Sequence, residues 1–162
     1  MGKSFTNSSL FVIFALVLSP SVLADIVQEC TAINHQYALA RDLGDTDAYS
    51  RLFAEDAEFI MEGDRYRGRA ELIKRLSGGE SESFARLLIT TVNIKDNNDG
   101  TATGIVYFIM FQAPVANSKE LPITSYNIFM GEYHDTYQQT EQGCQIVRRE
   151  TIPTFMGVES SE

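Results

Sequence analysis

The sequence predicts an α+β domain in which helices pack on one face of a curved, mostly antiparallel sheet. Three observations predict it. The first half of the chain repeats its apolar residues at helical spacing, residues 80–96 are rich in β-branched residues, and residues 97–155 are strand-like segments punctuated by turns. All of this falls after residue 24. Residues 1–24 read as a leader, with Lys3 near the start, nine apolar residues at 10–18, a break at Ser19-Pro20, and Val22 and Ala24 before the expected cleavage. The apolar run is too short to span a bilayer.

The elements follow in order. Ile26, Cys30, Ile33, Tyr37 and Ala40 recur at spacings of four and three, which predicts a helix over 26–43, stopped at Gly44. Asp45 and Asp47 cap a second, shorter helix through AYSRLFAEDA, with Tyr49, Leu52 and Phe53 inside. AEFIME (57–62) alternates Phe59 and Met61 and reads as a strand, with a turn at Gly63-Asp64. AELIKRL (70–76) is a third helix, ended by Ser77-Gly78-Gly79. NNDG (97–100) is a hairpin turn, because Asn and Gly tolerate positive φ. Strands are expected at 101–113, 123–139 and 144–155, with a loop over 114–122 and a turn at 140–143. The order is helix, helix, strand, helix, then three long antiparallel strands.

Without the leader, 138 residues remain, enough for one domain with a single core. Losing Lys3 takes the net charge from −9 to −10, 12 basic residues against 22 acidic. Such a surface repels phosphate backbones, so nucleic acid is not an expected partner. Residues 157–162 are assigned to a flexible acidic tail. A leader implies a secreted or periplasmic protein. In an oxidising compartment Cys30 and Cys144 are expected to form a disulfide, the alternative being two separate buried thiols. With two histidines and no CxxC spacing, no metal site or cofactor is expected.

Five segments carry a resemblance to a known family: Tyr37-Ala-Leu-Ala-Arg-Asp42-Leu-Gly-Asp45, Leu52-Phe53-Ala-Glu-Asp56-Ala-Glu-Phe59, Tyr66-Arg-Gly68-Arg-Ala-Glu-Leu-Ile73, Gly131-Glu-Tyr133-His-Asp135 and Gly143-Cys-Gln-Ile-Val-Arg-Arg149. In order and spacing they resemble the SnoaL-like group of the nuclear transport factor-like superfamily, which includes polyketide cyclases, scytalone dehydratase and ketosteroid isomerase. The resemblance covers residues 26–152, within a domain taken as 25–156. It implies a cone-shaped, strongly curved sheet with three N-terminal helices on it and a deep pocket. Phe53, Phe59, Met61, Tyr107, Phe111, Tyr126 and Phe129 are the expected pocket lining, for a small, mostly apolar molecule of sterol-, polyketide- or terpene-like character. The resemblance also implies homodimers through the open sheet face.

It further implies a site. In the related dehydratases, a tyrosine and an aspartate five residues later come from the first helix, and Tyr37 and Asp42 match them. A histidine joins from the strand after the third helix, but residues 83–94 hold none, and Leu87 or a neighbour takes its place. His134 is the remaining candidate, from another strand. It alternates with Tyr133 and Asp135 and therefore faces the other way from them. Five helical residues also separate Tyr37 and Asp42 by about 140°. Two readings follow. One is a pocket protein that binds an apolar molecule without chemistry, favoured by the missing histidine. The other is a cofactor-free dehydratase or isomerase using Tyr37, Asp42 and His134 for acid–base chemistry. The binding reading leads. His35 is expected on the solvent side of its helix, and Arg65, Arg67 and Arg69 are expected to pair with surface acids.

Overall fold

A computed structural model describes residues 25–78, 83–114 and 121–159. The leader assigned to 1–24 lies outside the described residues, as do the tail positions 160–162.

Helix α1 spans Ile26–Leu43. The Asp25 side chain caps it by accepting from the Val27 N–H, and Gly44, at φ 66°, turns its N–H back to the Ala40 and Arg41 carbonyls. Its buried face contains Cys30, Ile33, Tyr37 and Ala40, as the spacing requires, but also Asn34 and Arg41. Helix α2 is Thr46–Arg51, capped by Asp45. It ends sooner than its sequence suggests. Phe53 begins strand β1 (Phe53–Met61), because Phe53 pairs with Ile146 across the sheet, and that pairing overrides local helix propensity.

A further short strand, β2 (Asp64–Arg67), has no apolar alternation to announce it. It folds back on β1 through Glu62 and Gly63, both at positive φ. Helix α3 (Gly68–Gly78) follows. The β-rich stretch is itself a long strand, β3 (Ser83–Asp96), so four long strands follow α3 rather than three. The others are β4 (Thr101–Pro114), β5 (Tyr126–Thr140) and β6 (Gly143–Glu159). Strand β6 therefore takes in residues 157–159, which the sequence reading had given to the tail.

The sheet order is β2-β1-β6-β5-β4-β3. Only β1 and β6 run parallel; the other neighbours are antiparallel. The sheet curls without closing, and bulges between Ile89 and Thr91, Met130 and Gly131, and Thr136 and Tyr137 supply part of the bend. At Gly131 the strands come so close that a Cβ would sit 2.6 Å from the Ile152 carbonyl oxygen and 2.8 Å from the Phe108 ring. On the concave side Val106, Phe108, Tyr133, Asp135 and Tyr137 are buried beneath α1 and its neighbours. On the other side Leu88, Ile105 and Tyr107 are exposed. A disulfide joins Cys30 of α1 to Cys144 of β6, 114 residues apart in sequence. Among the described residues no helix is long and apolar enough to cross a membrane.

Candidate ligand-binding cavity

The centre of the concave side is polar and buried. Arg149 of β6 is completely buried. Its Nε donates to Asp135 Oδ1 at 2.9 Å, and its Nη2 donates to Asp135 Oδ2 at 2.6 Å and to Asn34 Oδ1. Tyr137 donates to Asp135 Oδ2 at 2.6 Å, and Asn34 Nδ2 donates to the Tyr137 oxygen at 3.0 Å and the Cys30 carbonyl at 2.8 Å. Burial works against the charge of Arg149, but the Asp135 carboxylate and its hydrogen bonds outweigh it and hold the guanidinium pKa well above its ordinary value. Burial, then the Asp135 charge, push Tyr137 up too, so it remains a donor. The fork geometry of Arg149 on Asp135 gives this pair an orientation as well as an energy.

This network supports two tyrosine rings. The Arg149 guanidinium carbon lies 4.3 Å from the ring centre of Tyr37 and 4.2 Å from that of Tyr133. The two rings meet edge to face at 5.7 Å. Tyr133 also stacks on Phe108 at 4.4 Å. Burial raises the Tyr133 pKa well above the phenol range, and Tyr37 beside it pushes the same way, against Arg149 and Arg41. Tyr133 therefore stays protonated at neutral pH, able to donate a hydrogen bond.

Tyr37 and Tyr133 line a small cavity of about 90 Å³, together with Phe59, Met61, Phe108 and Phe129. Met110, Met130 and Met156 line it as well, so every methionine after Met1 faces this space. Its polar wall is supplied by Arg41, Arg75 and Thr151, and Glu62 stands at the exposed β1–β2 turn beside it. The Arg75 guanidinium lies 4.3 Å over the Phe59 ring. The space has the walls of a ligand pocket, mostly apolar with a few converging polar groups.

The three residues read as a possible catalytic set do not converge here. Tyr37 lines the cavity. Asp42 does not: both its oxygens lie 3.1 Å from the Leu87 backbone N–H, and Arg41 is 3.7 Å away. The helix stays regular to Gly44, so Asp42 keeps its turn away from Tyr37 and reaches the free edge of β3 instead. Asp42 thus holds Leu87, on the strand segment where the resemblance called for a histidine and Leu87 or a neighbour takes its place. His134 is on the outer face, its side chain 45% exposed and its Nε2 2.8 Å from Glu132 Oε2.

Of the expected lining, Phe59, Met61 and Phe129 face the cavity. Phe53 is core, packed on Tyr49 at 5.2 Å and Tyr37 at 6.0 Å. Tyr107 is on the outer face and 46% exposed. Phe111 and Tyr126 meet at 5.6 Å and line a separate outer groove of about 240 Å³. Strand β4 is apolar on both faces, so composition could not tell one side from the other; the register with β5 does. The residues that the sequence reading passed over are Tyr133, Arg149, Asp135, Asn34 and Thr151. The period-two run Tyr133, Asp135, Tyr137 was the available signal, masked because Asp and Arg are ordinarily exposed. His35 is exposed on α1, and Arg65 and Arg67 pair with Glu58 at 3.1 and 2.9 Å, as expected. Arg69 instead donates to the Phe53 carbonyl.

Residues 23–150 match the SnoaL-like domain. No curated protein matches the chain in sequence. Solved structures do. A candidate scytalone dehydratase from Novosphingobium aromaticivorans is 19% identical, with a TM-score of 0.70 over 83% of this chain and 88% of that one. A protein of unknown function from Mycobacterium tuberculosis is 22% identical, with a TM-score of 0.69 over 79% and 71%. A hexachlorocyclohexane dehydrochlorinase from Novosphingobium barchaimii is 10% identical, with a TM-score of 0.72 over 83% and 90%. At these identities the likeness is one of fold.

Proposed function

This chain belongs to the SnoaL-like domain family, and on that premise we propose that it is a secreted pocket protein holding one small, mostly apolar molecule. An oxygen of that molecule faces Tyr37 and Tyr133. The observation that carries the reading is this tyrosine pair in a largely apolar cavity, with Tyr133 held protonated and Arg149 fixed against both rings. A neutral phenol in a buried site donates a hydrogen bond to a carbonyl, hydroxyl or ether oxygen.

At about 90 Å³ the cavity is smaller than the roughly 300 Å³ or more that a drug-sized ligand fills. A sterol-, polyketide- or terpene-like ligand therefore requires Met61, Met110 and Met156 to move, and methionine is the apolar side chain best suited to that. Export is supported by the leader pattern and by the Cys30–Cys144 bridge, which persists in oxidising compartments. A homodimer through the open sheet face is part of the proposal, supported by the exposed Leu88, Ile105 and Tyr107 there. Light scattering that returned a monomer would refute it.

The alternative reading is a cofactor-free dehydratase or isomerase using Tyr37 and Asp42. The names of two structural neighbours favour it. The engagement of Asp42 with Leu87, and the outward position of His134, favour binding. Native mass spectrometry of protein purified from its own host tests the binding reading. The expected result is a retained small organic molecule, absent from the Tyr37→Phe/Tyr133→Phe protein. An empty wild-type protein that also takes up no ring-sized probe would overturn it.

A further inference from the structure

Thr151 stands on β6 directly between Tyr133 on β5 and Met61 on β1. It lines the cavity. Its Oγ1 is buried and has no hydrogen-bond partner among the described residues. Leaving a buried hydroxyl unpaired costs free energy, whereas valine, of almost the same shape, would suit the strand and remove that cost. The other central polar groups contrast with it: Asp135, Asn34 and Tyr137 are all joined in one network.

We propose that Thr151 Oγ1 is a second polar anchor of the cavity, one that selects ligands carrying a second hydrogen-bonding oxygen. The inference rests on the binding reading above and deepens it. Neighbouring strands lie about 4.8 Å apart, and a tyrosine hydroxyl ends a full ring beyond its Cβ while a threonine hydroxyl stays beside the backbone. The two anchors therefore sit at different heights above the sheet. A ring that bridges them carries its oxygens apart, in 1,3 or 1,4 relation, and not on adjacent carbons. The hydroxyl both donates and accepts, so the second oxygen can be a carbonyl or a hydroxyl.

Calorimetric titration with phenol, catechol, resorcinol and hydroquinone tests this on the full folded protein. Resorcinol or hydroquinone should bind about tenfold tighter than phenol, the worth of one well-formed hydrogen bond, and catechol should not. Thr151→Val should erase that advantage, costing the spaced diols about tenfold more than it costs phenol, and Thr151→Ser should keep it. Thr151→Val without ligand should melt at or above the wild-type temperature, because it removes an unpaired buried hydroxyl. Equal losses for phenol and the diols in Thr151→Val would overturn the proposal, as would a wild type with no preference for either spaced diol. A lowered melting temperature in Thr151→Val would overturn it too, by showing a structural bond. If phenol binds and these diol results fail, the second anchor alone is wrong. If no probe binds, phenol included, the cavity-binding reading falls with it.

Discussion

Replacing Arg149 by methionine is the most searching perturbation of this fold. Both side chains of the Arg149–Asp135 pair are 0% exposed. Methionine keeps much of the apolar volume between Tyr37 and Tyr133 but removes both charged bonds to Asp135 and the bond to Asn34. Asp135 is left with the Tyr137 hydroxyl in a fully buried site. Breaking one side of a buried ion pair costs about 3–5 kcal/mol. For a domain of about 140 residues the unfolding entropy near the midpoint is about 290 cal/mol/K, so each kcal/mol lowers Tm by about 3.4 °C. Arg149→Met should therefore melt about 10–17 °C below wild type. Urea titration gives the same quantity at 25 °C, followed by circular dichroism and tyrosine fluorescence, since the chain has no tryptophan. The cycle is closed with Asp135→Leu and the double variant. Removing both charges leaves neither one stranded, so the double variant should be about 2 kcal/mol or more better than the sum of the singles. A loss under about 1 kcal/mol in Arg149→Met, or additive singles, would refute the argument that this pair is a coupled buried unit.

Three further outcomes follow from the same structure. Cys30→Ser/Cys144→Ser should lose about 2–4 kcal/mol, because the bridge closes a long loop, and intact mass with and without reductant should report the bond directly. Asp42→Ala should cost about 1–3 kcal/mol and speed amide exchange at Leu87, while Asp42→Asn, which keeps one acceptor oxygen, should lose less; unchanged exchange at Leu87 would remove the edge-stapling role. Tyr133 and Tyr137 have raised pKa values in the fold. A raised folded pKa gives stability that is complete below the unfolded value of about 10 and lost as pH rises beyond it. Tm should thus fall above about pH 10, and at least two of the seven tyrosines should ionise only on unfolding, read by phenolate absorbance. Full titration of all seven in the folded protein would contradict the burial argument.

Local rules were enough for α1, whose stripe, aspartate cap and terminal glycine all agree. They also placed the hairpin at 97–100, the positive φ of Asn98 and Gly100 being what that sequence favours. The cysteine pair was legible as a bridge from its count and the oxidising compartment that the leader pattern implies. Where α2 gives way to β1 was not legible, because Phe53 becomes a strand residue only through its parallel partner on β6. The site followed the same division. Tyr37 could be placed inward from its own helix. Phe59, Met61 and Phe129 were expected in the lining and are there, but the polar residues of the site could not be placed, because strand alternation says which residues share a face but not which face is concave. That choice rests on the pairing of β5 with β4 and β6, and it sends Tyr133, Asp135, Arg149 and Thr151 inward and His134 and Tyr107 outward. A buried charge is the extreme case. Arg149 on its own would read as a surface residue, and it lies in the core because Asp135, Asn34 and two tyrosine rings, drawn from distant parts of the chain, meet it there.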